Sequence, residues 1–538
     1  MRFLPAGDQA LLVELPDLTQ TMQLYRALSG ASLEGVREMV PAAQTILVHF
    51  YPWHTTRCSL VQSIQQVHAQ LDKQQELQRG TSGTLRVIPV HYDGEDLADV
   101  AELLGLSVAQ VVAQHTGHVY DAAFAGFAPG FVYLSGGANF QVPRRTTPRT
   151  RVPAGSVALG GNFSAIYPSA SPGGWQLIGR TDIRMWDLAR EAPAYVQPGD
   201  RVQFVDAARR VVHISLPKAD ISERNRLSTY VPQAQAAIEL ISVGLQTLVQ
   251  DAGRSGLSGL GISESGALDR TAMRDANRLV GNPADTPVLE NVLGQLQFKS
   301  HGPTTLAVTG ARAAVTIRTA QGATWVLEGQ RAFALNDGDE AHVGAPAAGV
   351  RCYVAVRGGW LVELVLGSCA MDTLAQIGPA PLQAGQHVPV GSLRQLALQC
   401  AEPWSLPPRD LPAPGDTVVL DVVPGPRTDW FAPQALDVLQ TQPWTVTPQS
   451  NRIGIRLQGT QLLARSRHDE LPSEGTVVGA IQVPISGQPV LFLADHPLTG
   501  GYPVIGAVAS HHLDLAAQIP VGCLIRFRVL PERKDIAS

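Results

Sequence analysis

An internal repeat constrains this chain more than any other feature. Ser171-Pro172-Gly173-Gly174-Trp175-Gln176-Leu177-Ile178-Gly179 returns far downstream as Thr499-Gly500-Gly501-Tyr502-Pro503-Val504-Ile505-Gly506, with two glycines, an aromatic ring and an apolar-Ile-Gly exit in each copy. Each follows a small-residue segment containing proline, Val152-Pro153-Ala154-Gly155-Ser156 in one case and Val483-Pro484-Ile485-Ser486-Gly487 in the other. Paired glycines admit positive φ or close approach of a ligand, and the apolar run behind them reads as a buried strand. A tight turn into a core strand explains either copy alone; the duplication in similar settings points to two related units.

At 538 residues the chain exceeds one hydrophobic core, which sets a prior of about three to four domains. With 51 Gly and 39 Pro it reads as turn-rich and more β than α. No run approaches the ~18 apolar residues of a membrane span, and Gly7 and Asp8 interrupt the N-terminus before a signal-peptide core could form. A soluble, cytoplasmic protein is expected.

Five scattered cysteines with no CxxC suggest neither a disulfide framework nor a zinc site. A net charge of -5 offers no stripe for nucleic acid. Only four lysines occur (Lys73, Lys218, Lys299, Lys534), so most positive charge is guanidinium, suited to bidentate recognition of carboxylate or phosphate.

The fold class expected is mainly β with α+β parts. Residues 1–82 read as a small α+β domain without visible chemistry, and 83–215 as the first β-rich domain. The polar stretch 216–236 reads as a linker. Residues 237–402 form the first domain of the second half, the prolines of 403–416 a connection, and 417–538 the last domain, which carries the second copy of the repeat. Within the second half, Leu268, Ala272, Ala276 and Leu279 predict a helix that Asp269 caps and Gly281 and Pro283 stop.

Familiar catalytic motifs are missing. There is no GxxxxGK[ST], HExxH or EF-hand pattern, and Gly261-Ile262-Ser263-Glu264-Ser265-Gly266 misses GxSxG by one place. His115 and His118 flank a helix-breaking Gly117, so no metal site is read from the sequence. None of the lysines lies between methionines, so any biotin would be carried by another chain. What remains is a constellation of polar residues beside glycine loops: Arg149, Arg151, Asn162, Tyr167 and Ser169 in the first half, Gln250, Asp251, Arg254 and Asp269 at the start of the second, and Asn451, Arg452, Asp495 and Tyr502 near its end. Surface ion pairs and turn caps would explain any single member equally well.

Residues 85–215, with GFAPGFVYL, PRTRVPAGSV, NFSAIYP and SPGGWQLIGRT, resemble the first member of the paired bacterial proteins known as allophanate hydrolase subunit one or the B subunit of ATP-dependent 5-oxoprolinase. Residues 238–530, with TLVQDAGRSG, SGALDRTAMRDANRLVGNP, LENVLG, VLGSCAMD, GPRTDWF, SNRIGIRLQG and SEGTVVGAIQVPISGQPVLFLADHPLTGGYP, resemble the second member, the C subunit. The resemblance implies cyclophilin-like β-barrels in both halves, and the same fusion order occurs in the carboxyltransferase region of urea carboxylase. It implies ATP-dependent opening of 5-oxoproline to glutamate together with a separate, lactam-utilisation-type A subunit. A biotin-dependent carboxyltransferase acting on urea or a related amide, and a non-enzymatic inhibitor of a sensor histidine kinase, are the alternatives. On the first reading Arg149 and Arg151 would contact anions, Asp251 and Asp495 would act as acid/base or orienting groups, and the loops at 149–174 and 495–502 would share a cleft. The chain departs from the family pattern at Phe163-Ser164-Ala165, where Gln-Thr-Gly is common, and at Pro497-Leu498-Thr499, where Gln-Thr-Thr is.

Overall fold

The computed structural model describes residues 1–74, 83–137, 140–145, 147–208, 236–327, 329–392 and 397–531. The linker expected at 216–236 falls almost wholly outside them. Residues 1–74 form a four-stranded antiparallel sheet in the order Arg2–Pro5, Ala10–Glu14, Thr45–Phe50, Val36–Pro41. Period-two alternation gives its central strands two apolar faces. Leu11, Val13, Ile46 and Val48 pack against the helices Leu18–Gly30 and Arg57–Gln74. Leu12 and Leu47 point the other way, onto Val477, Phe492 and Leu498 of the last domain. The N-terminal sheet is therefore wedged between its own helices and the far end of the chain.

The repeat extends well beyond the glycine loops. In the first half the main strands are Leu85–Val90, Val119–Ala125, Val132–Ser135, Ser156–Gly160, Phe163–Ile166, Gln176–Arg180 and Arg201–Asp206. In the last portion they are Thr417–Pro424, Trp444–Val446, Gly454–Gln458, Ala480–Gln482, Val490–Phe492, Val504–Val508 and Leu524–Val529. Numbered along the chain, both sets are arranged in space as 6-4-5-3-2-7-1. Strands 7 and 1 run parallel in each, Arg201 opposite Leu85 and Leu524 opposite Thr417, while the other pairs are antiparallel. The second set closes into a barrel through Val422–Val508. In the first set that seam shrinks to one bridge, His91–Arg180, which leaves a half-barrel.

Between the two lies a sandwich of a six-stranded and a five-stranded sheet spanning 236–390. Its helix, Arg270–Val280, follows the predicted spacing: Asp269 Oδ1 accepts the Ala272 N–H at 2.9 Å and Gly281 leaves at φ +75°. Among the described residues no single helix is long and apolar enough to cross a membrane.

His115 occupies the core of the half-barrel, fully buried, with Nδ1 2.7 Å from the Tyr92 hydroxyl, Nε2 2.9 Å from Ser164 Oγ, and its ring stacked on Phe204 at 4.3 Å. Burial pushes its pKa down to about 3, so the folded state holds it neutral. An unfolded histidine titrates near ~6.5, so its stabilising contribution is complete above that value and is lost as pH falls toward 3, at about 1.4 kcal/mol per pH unit. The expected outcome is that His115→Gln is less stable than the parent at pH 7 and that the gap narrows by about 2 kcal/mol at pH 5; urea unfolding of both proteins at the two pH values measures it.

Candidate functional site

Each glycine loop is one edge of a two-stranded ribbon, Ser171–Gly173 on Arg149–Val152 in the half-barrel and Thr499–Gly500 on Glu474–Gly475 in the barrel. Each ribbon is fastened by an ion pair to the turn after strand 1, and the polarity is opposite in the two units. In the first, Asp96 donates its amide to Leu177 O and accepts from Arg149 Nη1 at 2.9 Å and Nη2 at 2.8 Å. In the second, Arg427 donates its amide to Val504 O and pairs with Glu474 at 2.7 Å. Arg149 and Glu474 both face the first glycine of the repeat, Gly173 and Gly500. Burial raises Asp96, but Arg149, the Leu177 amide and Arg145 outweigh it and hold the carboxyl below its ordinary range. Glu474 has one cation, shared with Glu14, and burial pushes it up to about 7.

The guanidinium expected at Arg149 to bind a substrate anion is thus saturated by Asp96 and Glu95. Arg151, Asn162 and Ser169 are exposed. Tyr167 is buried among Phe131 and other rings, its hydroxyl against Gly173 and its pKa pushed up to about 12, chiefly by burial. Asn451 caps a turn through the Ile453 amide, and Tyr502 lies under the Arg465 guanidinium. The ribbons do meet at a common seam: Arg145 N–H bonds Gly174 O, while Arg144 packs on Gly501 and pairs with Glu470 at 2.6 Å. Phe163 fills an aromatic core with Phe124 and Tyr133, so that departure from the family pattern faces packing. Thr499 Oγ1 accepts the Phe127 amide at 3.0 Å, binding one unit to the other.

Six of the expected residues converge elsewhere, at the junction of sandwich and barrel. The loop leaving strand Gln246–Gln250 doubles back so tightly that a Cβ on Gly253 would meet Glu264 O at 2.4 Å. This brings Gln250, Asp251, Arg254 and Asp269 beside Arg452 and Asp495 of the barrel. Arg452 is the hub. Its Nε reaches Asp495 Oδ2 at 2.9 Å, Nη2 reaches Asp495 Oδ1 at 3.0 Å and Gly266 O at 2.7 Å, and Nη1 bonds Glu290. Asp495 also accepts from Ser265 Oγ at 2.6 Å and from the Thr373 amide and hydroxyl at 2.8 and 2.7 Å. Ser265 holds φ +56°, a left-handed conformation uncommon outside glycine and a local strain.

Asp251 accepts from Gly253 N, Ser368 Oγ and Cys369 N at 2.6–2.8 Å. Asp269 accepts from Arg409 Nη1 at 2.6 Å and Gln518 Nε2 at 2.8 Å besides its helix. Gln250 Nε2 donates to Met371 O at 2.8 Å, and its Oε1 is buried with no partner among the described residues. Arg254 donates Nη2 to Ala370 O, while Nε and Nη1 are buried and unpartnered among the described residues. Burial pulls Arg254 below its ordinary range.

Sequence reasoning missed Asp372 and Glu290, although both lie in the quoted motifs VLGSCAMD and LENVLG. Burial, then the charge of Asp495, pushes Asp372 up to about 6. Burial pushes Asp495 up too, but Arg452 outweighs it and holds that carboxyl below its ordinary range. Neighbouring carboxylates with separated proton affinities make one group able to exchange a proton near neutrality while the other stays ionised. Cys369 is held as a thiol, its pKa pushed to about 12 by burial and Asp251, which argues against a thiolate nucleophile. Arg254 thus keeps two donor nitrogens without a partner among the described residues, close to a carboxyl, Asp372, whose proton affinity is raised toward neutrality.

Residues 1–196 match the family model for the carboxyltransferase domain, subdomain C and D, and residues 260–529 that for the carboxyltransferase domain, subdomain A and B. The chain is 37% identical over 293 residues to the 5-oxoprolinase C subunit of Escherichia coli (strain K12), covering 54% of this chain and 90% of that protein. It is 37% identical over 213 residues to the 5-oxoprolinase B subunit of Haemophilus influenzae, covering 38% of this chain and 97% of that protein. To the urea amidolyase of Saccharomyces cerevisiae it is 29% identical over 352 residues, 60% of this chain but 18% of the other. The crystal structure of TTHA0988 superposes with a TM-score of 0.79 at 32% identity, covering 97% of this chain and 99% of that one.

Removing Arg452 would strand Asp495 as a buried carboxylate without its cation and leave Glu290 with Arg351 as its cation, at 3.7 Å. Arg452→Ala should cost about 3–5 kcal/mol of unfolding free energy, with Arg452→Lys costing less because one ammonium keeps the charge but cannot span the three acceptors. Thermal or urea unfolding of both variants checks the order.

Proposed function

The chain belongs to the carboxyltransferase-domain family, with subdomains C and D preceding A and B in one polypeptide, and from that premise we propose that it is a fused B and C component of an ATP-dependent 5-oxoprolinase, opening 5-oxoproline to glutamate with a separate A subunit. One observation carries the reading: a single chain matches nearly the whole length of a 5-oxoprolinase B subunit, and likewise of a C subunit. An unactivated lactam resists water, and ATP would supply the activation of its carbonyl. The unpartnered nitrogens of Arg254 fit an oxyanion or carboxylate of the bound substrate. Gln250 Oε1, without a partner among the described residues, would accept from the lactam N–H. Asp372, as general base, takes a proton from the attacking water; Asp495 stays ionised and keeps Asp372 poised.

The second reading, a biotin-dependent carboxyltransferase acting on urea or a related amide, draws on the likeness to urea amidolyase. Glutamate release from 5-oxoproline and ATP, measured for the chain alone and with the A subunit, separates the two. Little turnover is expected alone and ATP-dependent turnover with the partner. Full turnover by the isolated chain would remove the need for a partner, and carboxyl transfer from carboxybiotin in place of glutamate release would favour the second reading. In the active complex, a base that is ionised above about 6 makes the rate rise with pH through that value. Asp372→Asn should lose that limb and most of the turnover while the unfolding midpoint stays near that of the parent.

A further inference from the structure

Away from this junction, the solvent face of the six-stranded sheet gathers three ligand-type side chains from three adjacent strands. Glu239 lies on Ala236–Val243, His301 ends Leu296–His301, and His387 opens the edge strand His387–Val390. Glu239 stands directly opposite His387, and His301 stands opposite Ala237, two residues along on the same face. Glu239 Oε2 is 2.8 Å from His301 Nε2, the two imidazole rings are 5.0 Å apart, and one donor atom from each residue lies within 4.8 Å of the others. A tetrahedral zinc site with bonds of ~2.0–2.1 Å needs donors about 3.3 Å apart. Small side-chain rotations reach that spacing.

We propose that Glu239, His301 and His387 bind a divalent transition-metal ion of the zinc, nickel or copper type, with water completing the coordination, and that the ion clasps the edge strand to the sheet. Two imidazoles and one carboxylate select such ions over magnesium or calcium, which take oxygen ligands. The strand they hold pairs with Ala236–Val243 and is met on its other side by the Trp360–Val390 bridge and the Leu361 amide on Pro389 O, so a cross-strand metal link adds a further fastening at the sheet edge. Lys299, opposite Glu239, places a positive charge nearby, which weakens the site for a cation. The three positions are separated by scores of residues, which is why no spacing motif announces them. This site is independent of the reading of the junction.

Another grouping, Asp421 with His511 and His512, serves as the internal control. There Arg528 already occupies Asp421 Oδ1, and His512 Nδ1 accepts the Asp421 amide, so a cation and a hydrogen bond stand where a metal would. The test is calorimetric titration of the full chain, free of any histidine tag, with Zn2+, alongside the visible spectrum with Co2+. Expected is one saturable, chelator-reversible site that weakens at least tenfold in His301→Ala and in His387→Ala, and less in Glu239→Gln, while His511→Ala binds as the parent does. All are surface changes, and metal-free unfolding midpoints should match the parent. No saturable binding, binding that survives the His301/His387 double substitution, or loss in His511→Ala instead, would overturn the proposal.

Discussion

The junction depends on one buried guanidinium. Arg452 lies 2% exposed between Glu290 of the sandwich and Asp495 of the barrel and also holds the Gly266 carbonyl of the connecting loop. A charge taken out of water is tolerated only when its partners are fixed, so the position of each surrounding piece is tied to this side chain. The loop that carries Asp251 and Arg254 closes through Gly266, and Asp495 is held where it also receives Ser265 and Thr373. Burial raises Asp372, and the neighbouring Asp495, which Arg452 keeps ionised, raises it further, to about 6. Structural ion pair and proton-carrying group are links of one chain.

The two barrel units show which part of such a network geometry demands. In both, the turn after strand 1 bonds to strand 6 through a glycine and the residue two places on: Gly94 and Asp96 onto Ile178 and Leu177, Gly425 and Arg427 onto Ile505 and Val504. A Cβ on either glycine would fall within 2.4 Å of that strand's backbone. The site beside it requires a neutralised pair, and either sign can occupy either side: acid in the turn with Arg149 on the ribbon, or base in the turn with Glu474 on the ribbon. The seams differ in extent: strand 1 pairs with strand 6 over Val422–Pro424 in the barrel, and through the single bridge His91–Arg180 among the described residues of the half-barrel.

The repeat was legible because glycine pairs and an apolar exit are local, and so was the helix at Arg270–Val280, whose cap, period and stop lie within a dozen residues. The junction was half legible. Gln250, Asp251, Arg254, Asp269, Arg452 and Asp495 stand beside glycine loops and were found that way. Glu290 was not, because inside the strand Val288–Val292 it carries no local sign that its partner lies 162 residues on. Arg151, Asn162 and Ser169 meet the same local criterion as Arg254 yet face solvent. A polar residue at a turn reads alike whether it faces water or a buried carboxylate. Arg149 illustrates the other side of this: the family resemblance implied an anion contact, and the anion is the protein's own Asp96.

Fixed donors hold Asp372 as they hold the structural carboxylates: it accepts from the Leu374 and Ala375 amides, each at 2.9 Å, and from Ser263 Oγ at 3.2 Å. Asp96, Asp251 and Asp269 each accept several fixed donors, and their role is accounted for by the turns, loops and helix end they hold. Arg254 is different: a guanidinium 3% exposed with two nitrogens unpartnered among the described residues, next to Gln250 with an unpartnered oxygen. Each buried polar group left unpaired costs about 1–3 kcal/mol, a penalty that packing alone does not require, since an apolar side chain of similar size would avoid it. What sets this corner of the junction apart is therefore the combination of a buried donor set, a buried acceptor and a carboxylate whose proton affinity burial and Asp495 have raised toward neutrality.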